Sequence, residues 1–150
     1  MGSTLTELIY HVVFSTKDRK PMINSNMCDE LYLYIGGIII KHDAVLLQIG
    51  GIEDHLHIVI KLKPTHKLSE LMQKIKGSSS KWMNKKFGSA IKFGWQDGYG
   101  AFTVSESQCS TVIKYVENQE KHHKTITFKD EFIQFLKRHK IEYDEKILWL

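Results

Sequence analysis

Apolar and polar positions along this chain fall into short blocks whose spacing predicts one element after another. Leu8 to Ser15 (LIYHVVFS) reads as a strand, followed by a charged turn from Thr16 to Pro21. From Asn24 to Lys41 the apolar positions Met27, Leu31, Tyr34 and Ile38 recur at helical spacing. Ala44 to Ile52 is a second strand and His55 to Leu62 a third, joined by the short polar link Glu53-Asp54 as a hairpin. After Pro64, a helix over Leu68 to Phe87 carries Leu68, Leu71, Met72, Ile75, Ser79, Trp82 and Met83 on one stripe. A fourth strand is expected between Ile91 and Ser105, then a helix from Ser107 to about His123. The tail is expected to form another helix (Phe128, Phe132, Phe135, Leu136) and an extended end.

The order β-α-β-β-α-β defines an α+β fold of the ferredoxin-like or RRM-like split βαβ type. In it an antiparallel sheet is covered by helices on one face, and the other face is expected to be free for a ligand. One domain is expected over residues 1–150. It comprises a core of about 8–105, an added helix of about 107–123 and a tail of 124–150.

In the third strand, Leu56, Ile58 and Ile60 take one side, and His55 and His57, two apart, share the other. Two imidazoles side by side can grip one cation. With eight histidines in the chain, however, such a pair arises by accident roughly 0.4 times, so the spacing alone does not establish a metal site. In the helix after the fourth strand, Tyr115 and Gln119 are four apart and lie on one face. A core tyrosine tethered by its neighbour's amide is the plain reading of that pair. The conjunction is more informative. A phenol is a poor nucleophile at neutral pH and a phosphodiester a poor electrophile. A divalent ion on two imidazoles and an amide oxygen would polarise a phosphate oxygen beside the tyrosine. Mixed nitrogen and oxygen donors suit Mn²⁺ or Mg²⁺. Asp54 is placed to orient an imidazole or to cap the hairpin.

Composition narrows the class further. Cys28 and Cys109 are the only cysteines, which argues for free thiols in a reducing cytoplasm and against thiolate-rich zinc fingers. The longest apolar run, Tyr32 to Ile40, is broken by Gly36-Gly37 and is too short to span a membrane, and Met1 to Thr4 lacks the features of a secretion signal. A net charge of +4 mildly favours a polyanionic partner.

At these residues the chain resembles the IS200/IS605 single-strand DNA transposases, the Y1 members of the His-hydrophobe-His nuclease superfamily. The likeness runs through Tyr10 to Lys17, Asp54 to Ile60, Leu71 to Ser79, Trp95 to Ser105 and Tyr115 to His123. It implies a transposase that cuts and rejoins single-stranded DNA at hairpin-flanked element ends, with no nucleotide cofactor. His55, His57 and Gln119 then correspond to the metal ligands. Tyr115 corresponds to the nucleophile that forms a 5′-phosphotyrosine and releases a 3′-hydroxyl. It further implies a homodimer in which the tyrosine helix of one subunit completes the histidine site of the other, with Gly98-Tyr99-Gly100 as a hinge for the exchange.

His122 shares the face of Tyr115 and is expected either near the phosphate or as a helix C-terminal histidine. His11 is expected to be structural. Candidate backbone contacts to DNA are Lys17 and Arg19 after the first strand, and Lys74, Ser78, Lys81 and Lys85 on the second helix, with Ser79 and Ser80 adding hydroxyls. Trp95 is a candidate for stacking on a splayed base, and Trp82 is assigned to the core. The competing reading is a non-catalytic or domesticated RRM-like module that binds hairpins without cutting, with an open sheet face as its platform.

Overall fold

The computed structural model describes residues 2–88 and 91–149. Four strands, β1 (Leu8–Ser15), β2 (Val45–Ile52), β3 (His55–Leu62) and β4 (Gly100–Val104), form one sheet in the order β2-β3-β1-β4 with antiparallel neighbours throughout. Helix α1 (Ser25–Lys41) connects β1 to β2 and α2 (Leu68–Lys86) connects β3 to β4, which is the split βαβ topology expected from the sequence. The bounds of β1 and β3 coincide with those read from the apolar pattern, and Asn24 caps α1 by accepting from the Asn26 amide at 3.0 Å.

One face of the sheet behaves as expected. Val12 and Phe14 of β1 and Leu56, Ile58 and Ile60 of β3 pack against Leu31, Ile35 and Ile39 of α1 and Leu71, Met72 and Ile75 of α2. The second face is not open. It is roofed by α3 (Glu106–Glu117), the single-turn α4 (Gln119–His122) and α5 (Phe128–Arg138). Ile9 and Val59 pack on Cys109 and Val116 of α3, while Val13 and Phe102 pack on Phe128, Phe132 and Leu136 of α5. The physical reason was present in the strands: β1 is apolar on both sides, so its second side needs a cover of its own. A base-stacking platform of the RRM kind is therefore not available on this sheet.

Three further expectations change. The helix expected from Ser107 to about His123 breaks at Asn118, whose ψ of 21° leaves the helical range and separates α3 from α4. The extended end instead turns into a short helix, α6 (Glu145–Leu148), with Asp144 accepting from the Lys146 amide at 2.9 Å. The segment Gly98-Tyr99-Gly100 is no hinge for α3, because Gly100 is already inside β4, in register with Val13, and the link to α3 is Ser105.

Two glycines set how closely the roof approaches. A Cβ at Gly50 of β2 would collide with the backbone carbonyl of Val116, and one at Gly100 would lie 2.7 Å from the Phe132 ring. Backbone cannot step aside as a flexible side chain can, so α3 sits where it does because residue 50 has no side chain. Gly50→Ala is expected to cost about 1–3 kcal/mol of stability, read as a lowered urea midpoint, and to speed amide exchange across α3 ahead of the sheet. Exchange in α3 as slow as in the native chain would contradict this close approach.

Candidate metal centre

Strand alternation places the rings of His55 and His57 on the roofed face with centroids 5.1 Å apart. Both are fully buried, not turned outward to solvent as the sequence implied. Above them lies a group that sequence reasoning did not include, the carboxylate of Glu131 on α5, only 1% exposed. Its Oε1 is 2.9 Å from His57 Nε2, 3.1 Å from His123 Nε2 and 3.5 Å from His55 Nε2. Its Oε2 accepts from the Gln119 amide at 3.0 Å and from the Tyr115 hydroxyl. Gln119 Oε1 in turn stands 2.8 Å from His55 Nε2. The paired histidines, Gln119 and Tyr115 are therefore brought together, as expected, but around a carboxylate.

The outer partners of two rings lie on their Nδ1 side. Asp54 Oδ1 is 2.7 Å from His55 Nδ1, and the Ile126 carbonyl is 2.7 Å from His123 Nδ1. A ring that donates its Nδ1–H to such an acceptor and carries no second proton turns a bare Nε2 towards Glu131. His57 Nδ1 shares one proton with His11 Nε2 at 2.7 Å, and His57 also presents a bare Nε2 when its Nδ1 donates. Asp54 thus orients an imidazole, and His11 holds a second one from β1.

The charge balance of this cluster decides what it can hold. Three imidazole nitrogens and a carboxylate oxygen, from His55, His57, His123 and Glu131, all lie within 4.8 Å of one another. Each Nε2 faces an oxygen, an approach made favourable by a proton on the nitrogen or by a cation between the two. Protons are a poor answer at His57, where burial, only partly opposed by Glu131, brings the pKa down to about 4. Burial, with His57 next in effect, takes His11 down to about 3. At His123 burial also works against the charged ring, but the hydrogen bond and charge of Glu131 outweigh it and raise the pKa. Burial opposes the Glu131 charge as well, yet its bonds to His123, His57 and Tyr115 hold it well below the usual carboxylate range. The donor set fits a divalent cation, with the ring orientations already fixed from behind.

Tyr115 is half-buried and forms part of the wall of a cavity of about 190 Å³ between α3 and α5. Its hydroxyl lies 3.0 Å from His122 Nε2, so His122 does meet the tyrosine. Burial, followed by the hydrogen bond to and charge of Glu131, raises the phenol pKa far above its ordinary value. Tyr115 reaches Glu131 of its own chain, with its ring centroid 5.8 Å from that of His57. Completion of the site by a second subunit, which the resemblance implied, is not needed for these contacts.

The DNA-contact candidates divide. Lys74, Lys81 and Lys85 are exposed and Ser78 is half-buried on α2, across the sheet from the histidines. Lys17 and Arg19 lie at the His55 end of β1, where Ser15 pairs with His55, and Arg19 stands over Trp149 at 5.1 Å. Ser79 and Trp95 are withdrawn from that role: both are buried, and the Trp95 indole donates to Ser79 Oγ at 2.9 Å. Trp82 packs against the core as expected, stacked on Tyr34 at 4.7 Å.

The residues missed were His123 and Glu131. His123 stood beside His122 in the sequence without being given a role. Glu131 carried a readable signal, since in α5 it falls on the same stripe as Phe128, Phe132 and Phe135. An acid on a helix's apolar face is either costly or paired for a purpose.

A split βαβ sheet thus carries a buried group of three histidines and a carboxylate that could hold a metal ion, with a tyrosine beside it. The chain belongs to the IS200-like transposase family, whose model, described as "Transposase IS200 like", matches residues 4–119. The ISDra2 transposase TnpA of Deinococcus radiodurans is 23% identical over 121 residues, covering 75% of this chain and 84% of that protein. A crystal structure from Deinococcus radiodurans R1, described there as a transposase, superposes with a TM-score of 0.65 at 23% identity, covering 79% of this chain and 95% of the other. A REP-associated tyrosine transposase bound to a REP hairpin superposes with a TM-score of 0.61 at 11% identity, covering 84% of this chain and 76% of the other. Among the described residues, no helix is long and apolar enough to cross a membrane.

Asp54→Asn removes a strong acceptor behind His55, and it is expected to weaken Mn²⁺ binding about 10–100-fold by calorimetric titration. Glu131→Gln is expected to weaken it further. Titration curves that match the native protein in both variants would rule out the centre as drawn.

Proposed function

We propose that this protein is a metal-dependent DNA transposase that cleaves and rejoins single-stranded DNA through a covalent Tyr115 intermediate. The observation that carries the reading is convergence: the Tyr115 hydroxyl and the imidazoles of His57 and His123 address the two oxygens of one buried carboxylate. The whole chain works as one domain, because residues 124–150 contribute Glu131 and the apolar face that seats it. The DNA is a strand with hairpin ends, in keeping with the relative described as bound to a REP hairpin.

In the reaction the Tyr115 oxygen attacks the scissile phosphorus and the bond from phosphorus to the 3′ oxygen breaks. The 3′ oxygen leaves as a hydroxyl after taking up a proton, and the 5′ side stays esterified to tyrosine. Attack by another 3′-hydroxyl reverses the step, joins the strands and frees the phenol. One phosphodiester is exchanged for another, so no nucleotide cofactor is required.

The chain's own residues have separable tasks. Asp54, His11 and the Ile126 carbonyl fix the three rings, and Gln119 spans His55 and Glu131. Glu131 Oε2 accepts a hydrogen bond from the phenol in the resting arrangement, and His122 Nε2 lies 3.0 Å from the same phenolic oxygen, placed to take up its proton. His55, His57, His123 and Glu131 would hold a divalent cation, which when bound would supply positive charge for the phosphate and offset the carboxylate that keeps the phenol protonated. Three imidazoles favour Mn²⁺ over Mg²⁺ in this set.

Incubation with labelled single-stranded DNA carrying a hairpin-flanked site and Mn²⁺ is expected to give a covalent protein–DNA band on a denaturing gel. The band should disappear in Tyr115→Phe and with chelator, and return when Mn²⁺ is restored. His57→Ala should lose the band while still shifting the DNA. A Tyr115→Phe protein that forms the adduct at the native rate would remove Tyr115 from its role.

A further inference from the structure

The cavity beside Tyr115 does not end there. It adjoins a second one, of about 250 Å³, and the two share His11, Val112, Phe135 and Arg138. Together they form a groove between α3 and α5 that starts at the Tyr115 hydroxyl and runs along β4 past Phe102 to Ser105 and Gln108. Side by side they reach the size of ordinary ligand pockets, roughly 300–1,000 Å³.

The lining has the chemistry of a nucleotide track. Phe102 stacks on Phe135 at 5.3 Å and on His139 at 4.5 Å, so three rings form a ladder along one wall. Phe135 is half-buried and His139 exposed, which leaves ring surface for a base. Arg138 is exposed, its guanidinium centre lies 6.0 Å from the Phe135 centroid, and among the described residues it has no ion-pair partner. Its charge also favours the ionised form of the Tyr115 phenol. Glu131, at the cation site, is the only acid in either lining.

We infer that this groove receives the single-stranded nucleotide adjoining the bond that is cut, with Arg138 gripping its phosphate and Phe135 and His139 offering its base a stacking face. The inference rests on Tyr115 marking the point of cleavage. A strand whose phosphate meets that hydroxyl must continue along whichever channel opens there, and this one combines a free cation with aromatic faces. Both Arg138 and His139 lie beyond residue 119, where the family match ends. One wall of the groove is therefore supplied by residues beyond the family match, and the groove is separated by the sheet from the α2 lysines.

The test is binding of fluorescein-labelled dT20 to the full chain in chelator, where no cutting occurs and the outcome does not depend on Tyr115 chemistry. Arg138→Gln is expected to weaken binding about ten-fold, as loss of a charge-assisted contact does. It should also reduce the slope of log Kd against log salt by about 0.7. Lys137→Gln, an equally exposed neighbour, makes the same change in net charge and should leave the slope near native. Irradiation of the same strand carrying one 5-iododeoxyuridine should crosslink at Phe135 of α5 or at His139, which caps it. Equal weakening by the two substitutions, an Arg138→Gln protein that binds as the native one does, or crosslinks confined to α2 would each overturn the groove. Failure of the covalent-adduct assay alone would leave it standing and count against Tyr115 instead.

Discussion

A carboxylate taken out of water must be answered by something positive or by hydrogen-bond donors, and the roofed face of this protein is organised around that requirement at Glu131. Removing one partner of a buried ion pair costs about 3–5 kcal/mol, because the remaining charge is stranded. Here the answer comes from every element of the upper layer. β3 brings His57, α4 brings Gln119, the turn after α4 brings His123, and α3 brings Tyr115. No single one of them would hold a charge in that position. Acting together with the phenylalanines, they hold α5 against the sheet.

That arrangement depends on close approach, which the backbone permits at only a few points. Gly50 lets the Val116 carbonyl come down onto β2, one residue after Tyr115, and Gly100 lets the Phe132 ring settle on β4, one residue after Glu131. The two glycines lie on opposite edge strands, each beneath a different roof helix. Tyr115 and Glu131 are thus lowered towards the histidines from both sides. The cleft left between the two helices is floored by His11 of the central strand β1, which also supports His57. A structural histidine is in this way part of both the cation site and the groove.

Much of this was legible because period-2 and period-3.6 patterns are local. β1 and β3 were bounded to the residue, and the side shared by His55 and His57 followed from alternation alone. What alternation did not reveal was the cover over that side. Ile9, Val13 and Val59 mark a second apolar surface, and what covers it lies far along the chain: Cys109 and Val116 over Ile9 and Val59, and Phe128, Phe132 and Leu136 over Val13. Pairing two distant stripes is a tertiary fact that neither states by itself. The same gap hid Glu131, whose place on an apolar stripe was visible but whose partners were not. The break at Asn118 was hidden for another reason. Asn is a moderate helix former, and nothing local distinguishes a kink there from a continuous helix.

The position of the family boundary has a mechanistic meaning. The matched region ends at Gln119 and so contains the histidine pair, the tyrosine and the amide, the residues on which the proposed transesterification draws first. The residues beyond Gln119 contribute a third imidazole, a carboxylate and one wall of the groove. A carboxylate against the phenol opposes reaction as long as its charge is unbalanced, since it stabilises the protonated hydroxyl and penalises the phenolate. A cation bound there would be held more tightly by the same carboxylate and would offset its effect on the phenol. On the proposed chemistry, Tyr115 would thus be kept protonated without metal and released with it, a coupling that two histidines alone would not provide. The C-terminal helix would then tie the reactivity of the tyrosine to the ion that receives the phosphate.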